Sequence, residues 1–90
     1  KGAVIALTRS LARALGPKGV RVNAVSPGIT ETAMIKDYSE RQRDAMKQRF
    51  PLGRFAEPNE IAEAGLFLIS EKASFMTGET MHVNGGSNFG

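Results

Sequence analysis

The sequence contains no cysteine and only one histidine, His82. Without cysteine the chain has no disulfide and no thiolate ligand for a metal ion, and one imidazole cannot make a multi-histidine zinc site. We therefore predict no metal site. No apolar run approaches the roughly 20 residues that a membrane-spanning helix needs, and no signal-peptide pattern is present. These features are compatible with a reducing compartment, and we expect a cytoplasmic protein with no membrane partner.

The net charge is modest. Twelve Lys and Arg residues against nine Asp and Glu residues give a formal net charge of +3. A basic nucleic-acid-binding helix at residues 41–49 is one interpretation, but Glu40 and Asp44 alternate with its basic residues. A nucleic-acid-binding chain more usually gathers its positive charge into one stripe. We expect a solvated surface and no nucleic-acid partner.

The chain is short, and its first residue is Lys1 rather than methionine. Ninety residues make at most one small domain, which buries only about 60% of the surface of the unfolded chain. Lys1 enters a helical pattern that no capping residue precedes. We therefore expect the natural chain to begin further upstream.

Apolar periodicity and turn residues divide the chain into five segments. Leucines and a valine at three- and four-residue spacing indicate a first helix, which Gly16 and Pro17 end. Pro58, with acidic neighbours, is typical of the start of a second helix. The helix, strand, polar insert, second helix and second strand are predicted at residues 2–15, 20–25, 30–50, 58–69 and 79–83.

This order predicts an α/β fold. A strand, a helix and a second strand form the unit that joins parallel strands. Because two strands are not a stable sheet by themselves, we expect further strands upstream of Lys1.

A candidate ligand-binding corner follows the first strand. It consists of Pro27, Gly28, Ile29, Thr30 and Thr32. Proline ends the sheet pairing, glycine allows close approach of the backbone, and ligands of open parallel sheets bind past the carboxyl ends of strands. The alternative is an ordinary turn in which Thr32 caps a short helix. Both roles are compatible with each other.

The insert at residues 30–50 is a candidate lid over that corner. One or two short helices with a common apolar side are expected there, from Ile35, Tyr38, Met46 and Phe50. A solvated connecting helix is the equally weighted alternative.

Several short motifs, in order along the whole chain, resemble the carboxyl-terminal part of a short-chain dehydrogenase/reductase. Lys1 matches the lysine that closes the family's Tyr-x-x-x-Lys motif. The other matching motifs are residues 21–23 (Arg-Val-Asn), 26–28 (Ser-Pro-Gly), 51–54 (Pro-Leu-Gly-Arg), 77–79 (Thr-Gly-Glu) and 83–86 (Val-Asn-Gly-Gly). The 3-oxoacyl-acyl-carrier-protein reductase-like members of the family are the most similar.

The resemblance implies that residues 1–90 are the carboxyl-terminal portion of one Rossmann-type doubly wound domain. Such an enzyme transfers a hydride between NAD or NADP and a small carbonyl or alcohol substrate, usually as a homotetramer or homodimer. The family's Gly-rich turn and its catalytic serine, tyrosine and asparagine do not occur in this chain. We therefore expect the isolated chain to be inactive. The alternative is a non-catalytic oligomerisation or interaction module derived from the same fold.

The same resemblance implies roles for individual residues. Lys1 is the catalytic residue, which binds the nicotinamide ribose and lowers the pKa of the tyrosine; without the resemblance it would be an ordinary solvated lysine. Backbone groups near Ile29 and Thr30 bind the nicotinamide carboxamide, and the Thr32 hydroxyl binds the carboxamide or the pyrophosphate.

His82 has no acidic or serine partner in a recognisable constellation and is given no catalytic role. The two glycines at residues 85–86 are expected to allow a tight backbone path near a subunit contact.

Overall fold

The computed structural model describes residues 2–31 and 33–87. Its helices and strands are α1 Gly2–Leu15, β1 Ala24–Pro27, α2 Ala33–Lys36, α3 Glu40–Lys47, α4 Pro58–Ile69 and β2 Thr80–Val83. Short 3-10 turns at Gly16–Lys18 and Glu71–Ala73 follow α1 and α4. The predicted order of elements is confirmed.

The two strands pair in parallel, with Ala24 opposite Thr80 and Pro27 opposite Val83. The predicted α/β class is therefore confirmed, and the arrangement matches part of a Rossmann-type sheet. The first strand, however, was predicted at residues 20–25, and this range is wrong by several residues at its start.

The shift has a physical reason in the chain opposite residues 20–23. That chain, residues 76–79, is irregular and not yet a strand, so Val22 donates its N–H to the Thr77 side chain at 3.0 Å. The Asn23 amide donates to the Met76 carbonyl at 2.9 Å and accepts from the Glu79 N–H at 3.1 Å. Regular ladder bonds begin where the Ala24 N–H reaches the Glu79 carbonyl at 2.9 Å.

Helix α1 packs on the sheet through its small residues. Thr8 and Ala12 are its buried positions, and the Thr8 hydroxyl donates to the Val4 carbonyl at 2.7 Å. The apolar stripe found in the sequence lies elsewhere on the helix, because Val4, Leu7 and Leu11 are 55%, 59% and 39% exposed. This stripe is an uncovered apolar surface in the described part of the chain.

Helices α3 and α4 both begin with capping hydrogen bonds, which are reciprocal at α3. The Ser39 hydroxyl accepts from the Gln42 N–H at 3.1 Å, while the Gln42 side chain accepts from the Ser39 N–H at 3.0 Å. At α4 the Glu60 carboxylate accepts from the Glu57 N–H at 2.8 Å, with Pro58 in the first turn. Such caps satisfy N–H groups that have no partner within the helix.

The insert has an aromatic core of its own. Ile35, Phe50 and Phe55 are buried together, and Ile29 and Met46 pack against them. The Phe50 and Phe55 rings meet edge to face, with centroids 6.3 Å apart. Three of the four predicted apolar positions therefore lie on this core. Tyr38 does not, since it is 41% exposed.

None of the described helices combines the length and the apolar character needed to cross a membrane.

Candidate functional site

The segment that follows β1 continues beside the end of β2. Gly28 donates its N–H to the Val83 carbonyl at 3.0 Å, one residue beyond the last paired position. A Cβ atom at Gly28 would lie 3.0 Å from the Asn84 Cα and 3.3 Å from the Asn84 carbonyl oxygen. A side chain at this position would therefore collide with backbone, and glycine lets the two chains come together.

The next three residues form a short parallel bridge with Ala56. Ala56 donates its N–H to the Ile29 carbonyl at 2.9 Å, and Glu31 donates its N–H to the Ala56 carbonyl at 2.8 Å. In an extended chain successive residues direct their backbone groups to opposite edges. The N–H and C=O of Thr30 therefore point away from Ala56, toward the side on which Gly28 bonds Val83, past the last residue of β2.

The structure places four predicted site residues in one continuous stretch. Pro27 ends β1, and Gly28, Ile29 and Thr30 run from the end of β2 to Ala56. The Thr30 hydroxyl donates to the Gly28 carbonyl at 3.4 Å, a long bond that stays within this stretch.

Two other predicted site residues, Lys1 and Thr32, lie outside the described residues, so their roles stay predictions. His82 is exposed on β2. Across residues 2–31 and 33–87, no three His, Cys, Asp or Glu side chains are grouped so that they could hold a metal ion.

A small cavity of about 90 Å³ opens beside Gly28 and Ile29. The ends of both strands and the chain from Phe50 to Ala56 surround it, and its lining includes Leu52, Val83 and Gly85. Its size suits a few water molecules rather than a whole cofactor.

The two glycines after β2 hold the chain close to residues 51–54. Gly85 and Gly86 have φ angles of 59° and 86°, and the Gly85 carbonyl accepts from the Leu52 N–H at 3.2 Å. A Cβ atom at Gly86 would approach the Pro51 Cγ to 2.8 Å. The predicted tight backbone path is present, and its neighbour in the described residues is this chain's own Pro51.

Arg54 and Glu60 join the same segment to the start of α4. Two hydrogen bonds of 2.7 and 2.9 Å link the guanidinium to the two carboxylate oxygens. The hydrogen bond from Arg54 lowers the pKa of Glu60 to about 2, and the bond from the Glu57 N–H adds to this. The same pairing raises the pKa of Arg54. This exposed pair links residue 54 to the first turn of α4.

A second ion pair ties α3 to the predicted cofactor corner, and the sequence did not reveal it. The Arg43 guanidinium bonds both carboxylate oxygens of Glu31, at 3.0 and 3.1 Å, directly beside Thr30. No local signal identifies these partners, since they lie twelve residues apart, Arg43 in α3 and Glu31 in the stretch after β1. The capping box of Ser39 and Gln42 was also missed, although Ser-x-x-Gln is a recognised sequence signal for it.

Comparison with known proteins agrees with the fold and the motifs. Residues 1–88 match the family model described as Enoyl-(Acyl carrier protein) reductase. The chain is 51% identical over 86 residues to 3-oxoacyl-(acyl-carrier-protein) reductase FabG of Aquifex aeolicus. The aligned region covers 96% of this chain and 35% of that protein. It is 49% identical to the FabG protein of Vibrio cholerae, with the same coverage. It is 45% identical to the uncharacterized oxidoreductase YmfI of Bacillus subtilis, over 96% of this chain and 36% of that protein.

These matches run through the whole series of motifs, although the chain spans only about a third of the length of the curated relatives it matches. The parallel strands, the Pro-Gly segment at their carboxyl ends and the family model together lead to one conclusion: this chain belongs to the short-chain dehydrogenase/reductase family.

Proposed function

We propose that this chain forms the carboxyl-terminal part of an NAD(P)-dependent oxidoreductase domain. Its relatives' names supply the substrate class, a 3-oxoacyl thioester carried on acyl carrier protein. The proposed reaction is the transfer of a hydride between the nicotinamide and the substrate's carbonyl or alcohol carbon. Whether NAD or NADP is used depends on residues outside this sequence.

The observation that carries the proposal is the orientation of Thr30. A nicotinamide carboxamide presents one C=O acceptor and one NH₂ donor. The Thr30 N–H and C=O form a complementary donor and acceptor pair on the side opposite Ala56, past the last residue of β2. The donor set on this stretch therefore fits the nicotinamide end of the cofactor.

The remaining protein groups have defined tasks in this proposal. Gly28 and Ala56 keep the stretch extended, and Thr30 orients the carboxamide and so selects the ring face that meets the substrate. Lys1, by resemblance, binds the ribose and favours the phenolate of a tyrosine four residues before it. The bound nicotinamide supplies or accepts the hydride. Since that tyrosine and the Gly-rich turn are not in this sequence, the isolated chain is proposed to be inactive.

Assembly and location complete the proposal. The exposed apolar side chains of α1 and of α4, where Leu66 and Ile69 are 56% and 76% exposed, support packing against other protein surfaces. We propose a homotetramer or homodimer in the cytoplasm. A non-catalytic module would expose the same surfaces, so they favour neither function over the other.

The test uses the full-length protein that carries this chain. Incubation with NADPH or NADH and a short 3-oxoacyl thioester should consume the reduced nicotinamide and yield the 3-hydroxyacyl product. Lys1→Ala should lower turnover by at least about a hundredfold, within the usual range for losing a group that assists proton transfer. The exposed Lys72→Ala is the control and should turn over normally. Absence of turnover with both cofactors, in a folded protein, would favour the non-catalytic alternative.

A further inference from the structure

Arg43 joins three parts of the chain. From α3, its Nη2 donates to both oxygens of Glu31, at 3.0 and 3.1 Å, and its Nη1 donates to the Ile35 carbonyl at 3.0 Å. Its guanidinium carbon also lies 5.4 Å from the centroid of the Phe55 ring. The side chains of Arg43 and Glu31 are only 21% and 22% exposed.

These contacts depend on the planar guanidinium of arginine, which lysine lacks. A planar guanidinium can bond a carboxylate with one end and a carbonyl with the other, while its face stacks on an aromatic ring. A lysine ammonium would provide the charge without this fixed fork. The contacts therefore define an orientation for α3, and are more than an attraction between opposite charges.

Glu31 is the last described residue of the stretch proposed to hold the nicotinamide. Its N–H is bonded to Ala56, and its carboxylate is held by Arg43. Thr30 is thus restrained on both sides: Ile29 and Glu31 are fixed by Ala56, and the Glu31 side chain is fixed by the insert.

We propose that Arg43 is a positioning residue for the cofactor: through Glu31 it couples the placement of α3 to the backbone geometry of Thr30. The inference rests on the proposed function of Thr30. Loss of the Arg43–Glu31 contact leaves Glu31 free to turn toward solvent and removes the restraint beyond Thr30. Cofactor affinity then falls, because part of the binding free energy is spent on ordering this stretch.

Four variants of the full-length protein test this proposal: Arg43→Gln, Glu31→Gln, the double variant and Lys47→Gln. Lys47 is the matched control, because it lies one turn along α3 and its ammonium is 5.5 Å from the centroid of the same Phe55 ring. It shares that ring, whereas the Glu31 carboxylate is bonded by Arg43. The dissociation constants of NADH and NADPH are measured by titration, and thermal midpoints are recorded for every variant.

Each single variant at Arg43 or Glu31 should raise the dissociation constant of the preferred cofactor roughly tenfold, equivalent to ~1.4 kcal/mol. The double variant should be no weaker than the worse single variant, because both lose the same contact. Lys47→Gln should bind within about twofold of wild type. The losses in the Arg43 and Glu31 variants should therefore be non-additive, which a general loss of packing would not produce.

The outcomes separate the two proposals. If wild type binds cofactor and Glu31→Gln binds equally well, the positioning role is wrong while the proposed function stands. Additive losses in the double variant, or an equal loss in Lys47→Gln, would likewise overturn the positioning role. If folded wild type binds neither NADH nor NADPH, the proposed function fails, and the positioning role fails with it. Should Arg43→Gln not fold, the isosteric Glu31→Gln decides the question.

Discussion

Gly28 and Asn84 are in backbone contact at the carboxyl ends of the two strands. A Cβ atom at Gly28 would be 3.0 Å from the Asn84 Cα, with the Asn84 carbonyl carbon and oxygen within 3.4 Å. All three neighbours are backbone atoms, so no side-chain rotation relieves the crowding. The contact brings the stretch proposed to bind cofactor against the end of β2.

Gly28→Ala should lower the free energy of unfolding by about 1–3 kcal/mol, the usual cost of an added methyl group in a packed site. Gly65→Ala is the control, because a Cβ atom there meets no described atom within 4 Å and α4 should gain slightly in helix propensity. Chemical denaturation of both full-length variants measures the difference. Equal stability of Gly28→Ala and wild type would show that the two backbones separate easily.

Gly86→Ala should destabilise more than Gly53→Ala. Both residues have positive φ angles, 86° and 70°, so both variants carry the backbone strain of an alanine in that region. Only Gly86 adds a collision, with the Pro51 ring at 2.8 Å, whereas Gly53 faces no described atom within 4 Å. We expect Gly86→Ala to be less stable by at least about 1 kcal/mol. Unfolding curves that coincide for the two variants would contradict the predicted collision.

The Arg54–Glu60 pair predicts a pH dependence of stability. The pKa of Glu60 is lowered in the folded chain to about 2, from 4.5. The pair therefore contributes fully above the unfolded-state pKa, and its contribution disappears as pH falls from about 4.5 toward 2. Glu60→Gln should be less stable than wild type at neutral pH. The difference in the free energy of unfolding between the two proteins should become smaller as pH falls from about 4.5 toward 2.

The control for the pH series is Glu63→Gln, on the same helix and exposed. It leaves the Arg54–Glu60 bonds in place and should not reproduce the loss of stability of Glu60→Gln at neutral pH. A stability gap between Glu60→Gln and wild type that stays constant down to pH 2 would contradict the assigned ion pair.

The apolar stripe of α1 predicts assembly of the full-length protein. Leu7 is 59% exposed in the described chain, and burial of such side chains is the main favourable term in association. Leu7→Lys should lower the mass measured by light scattering at micromolar concentration, whereas Ser10→Lys, at an exposed polar position, should not. If Leu7→Lys keeps the wild-type mass but loses stability, the stripe is covered within one subunit instead.

Local signals in the sequence predicted the elements that depend on local interactions. The range of α1 is correct because leucine spacing and Gly16–Pro17 specify it, and α4 begins at Pro58 as predicted. The predicted start of β1 was wrong because the pairing of residues 20–23 depends on the irregular chain before Thr80, which lies more than fifty residues away.

The same distinction between local and distant interactions applies to the candidate site. The Pro-Gly stretch and its position after a parallel strand are readable from the sequence and from the family resemblance. The partners that shape it are distant in sequence: Asn84 against Gly28, Ala56 beside Thr30, and Arg43 on Glu31. Hydrophobic period and turn chemistry carry no information about such pairs, so only the folded chain identifies them.

The central claim is that the Thr30 backbone binds the nicotinamide carboxamide. It is tested most directly by amide hydrogen exchange, resolved by residue, on the full-length protein with and without saturating NADPH or NADH. The Thr30 N–H should exchange markedly more slowly with cofactor, whereas the Ala56 N–H, already bonded to Ile29, should change little. An unchanged rate at Thr30, with protection by the cofactor elsewhere in the protein, would contradict the claim.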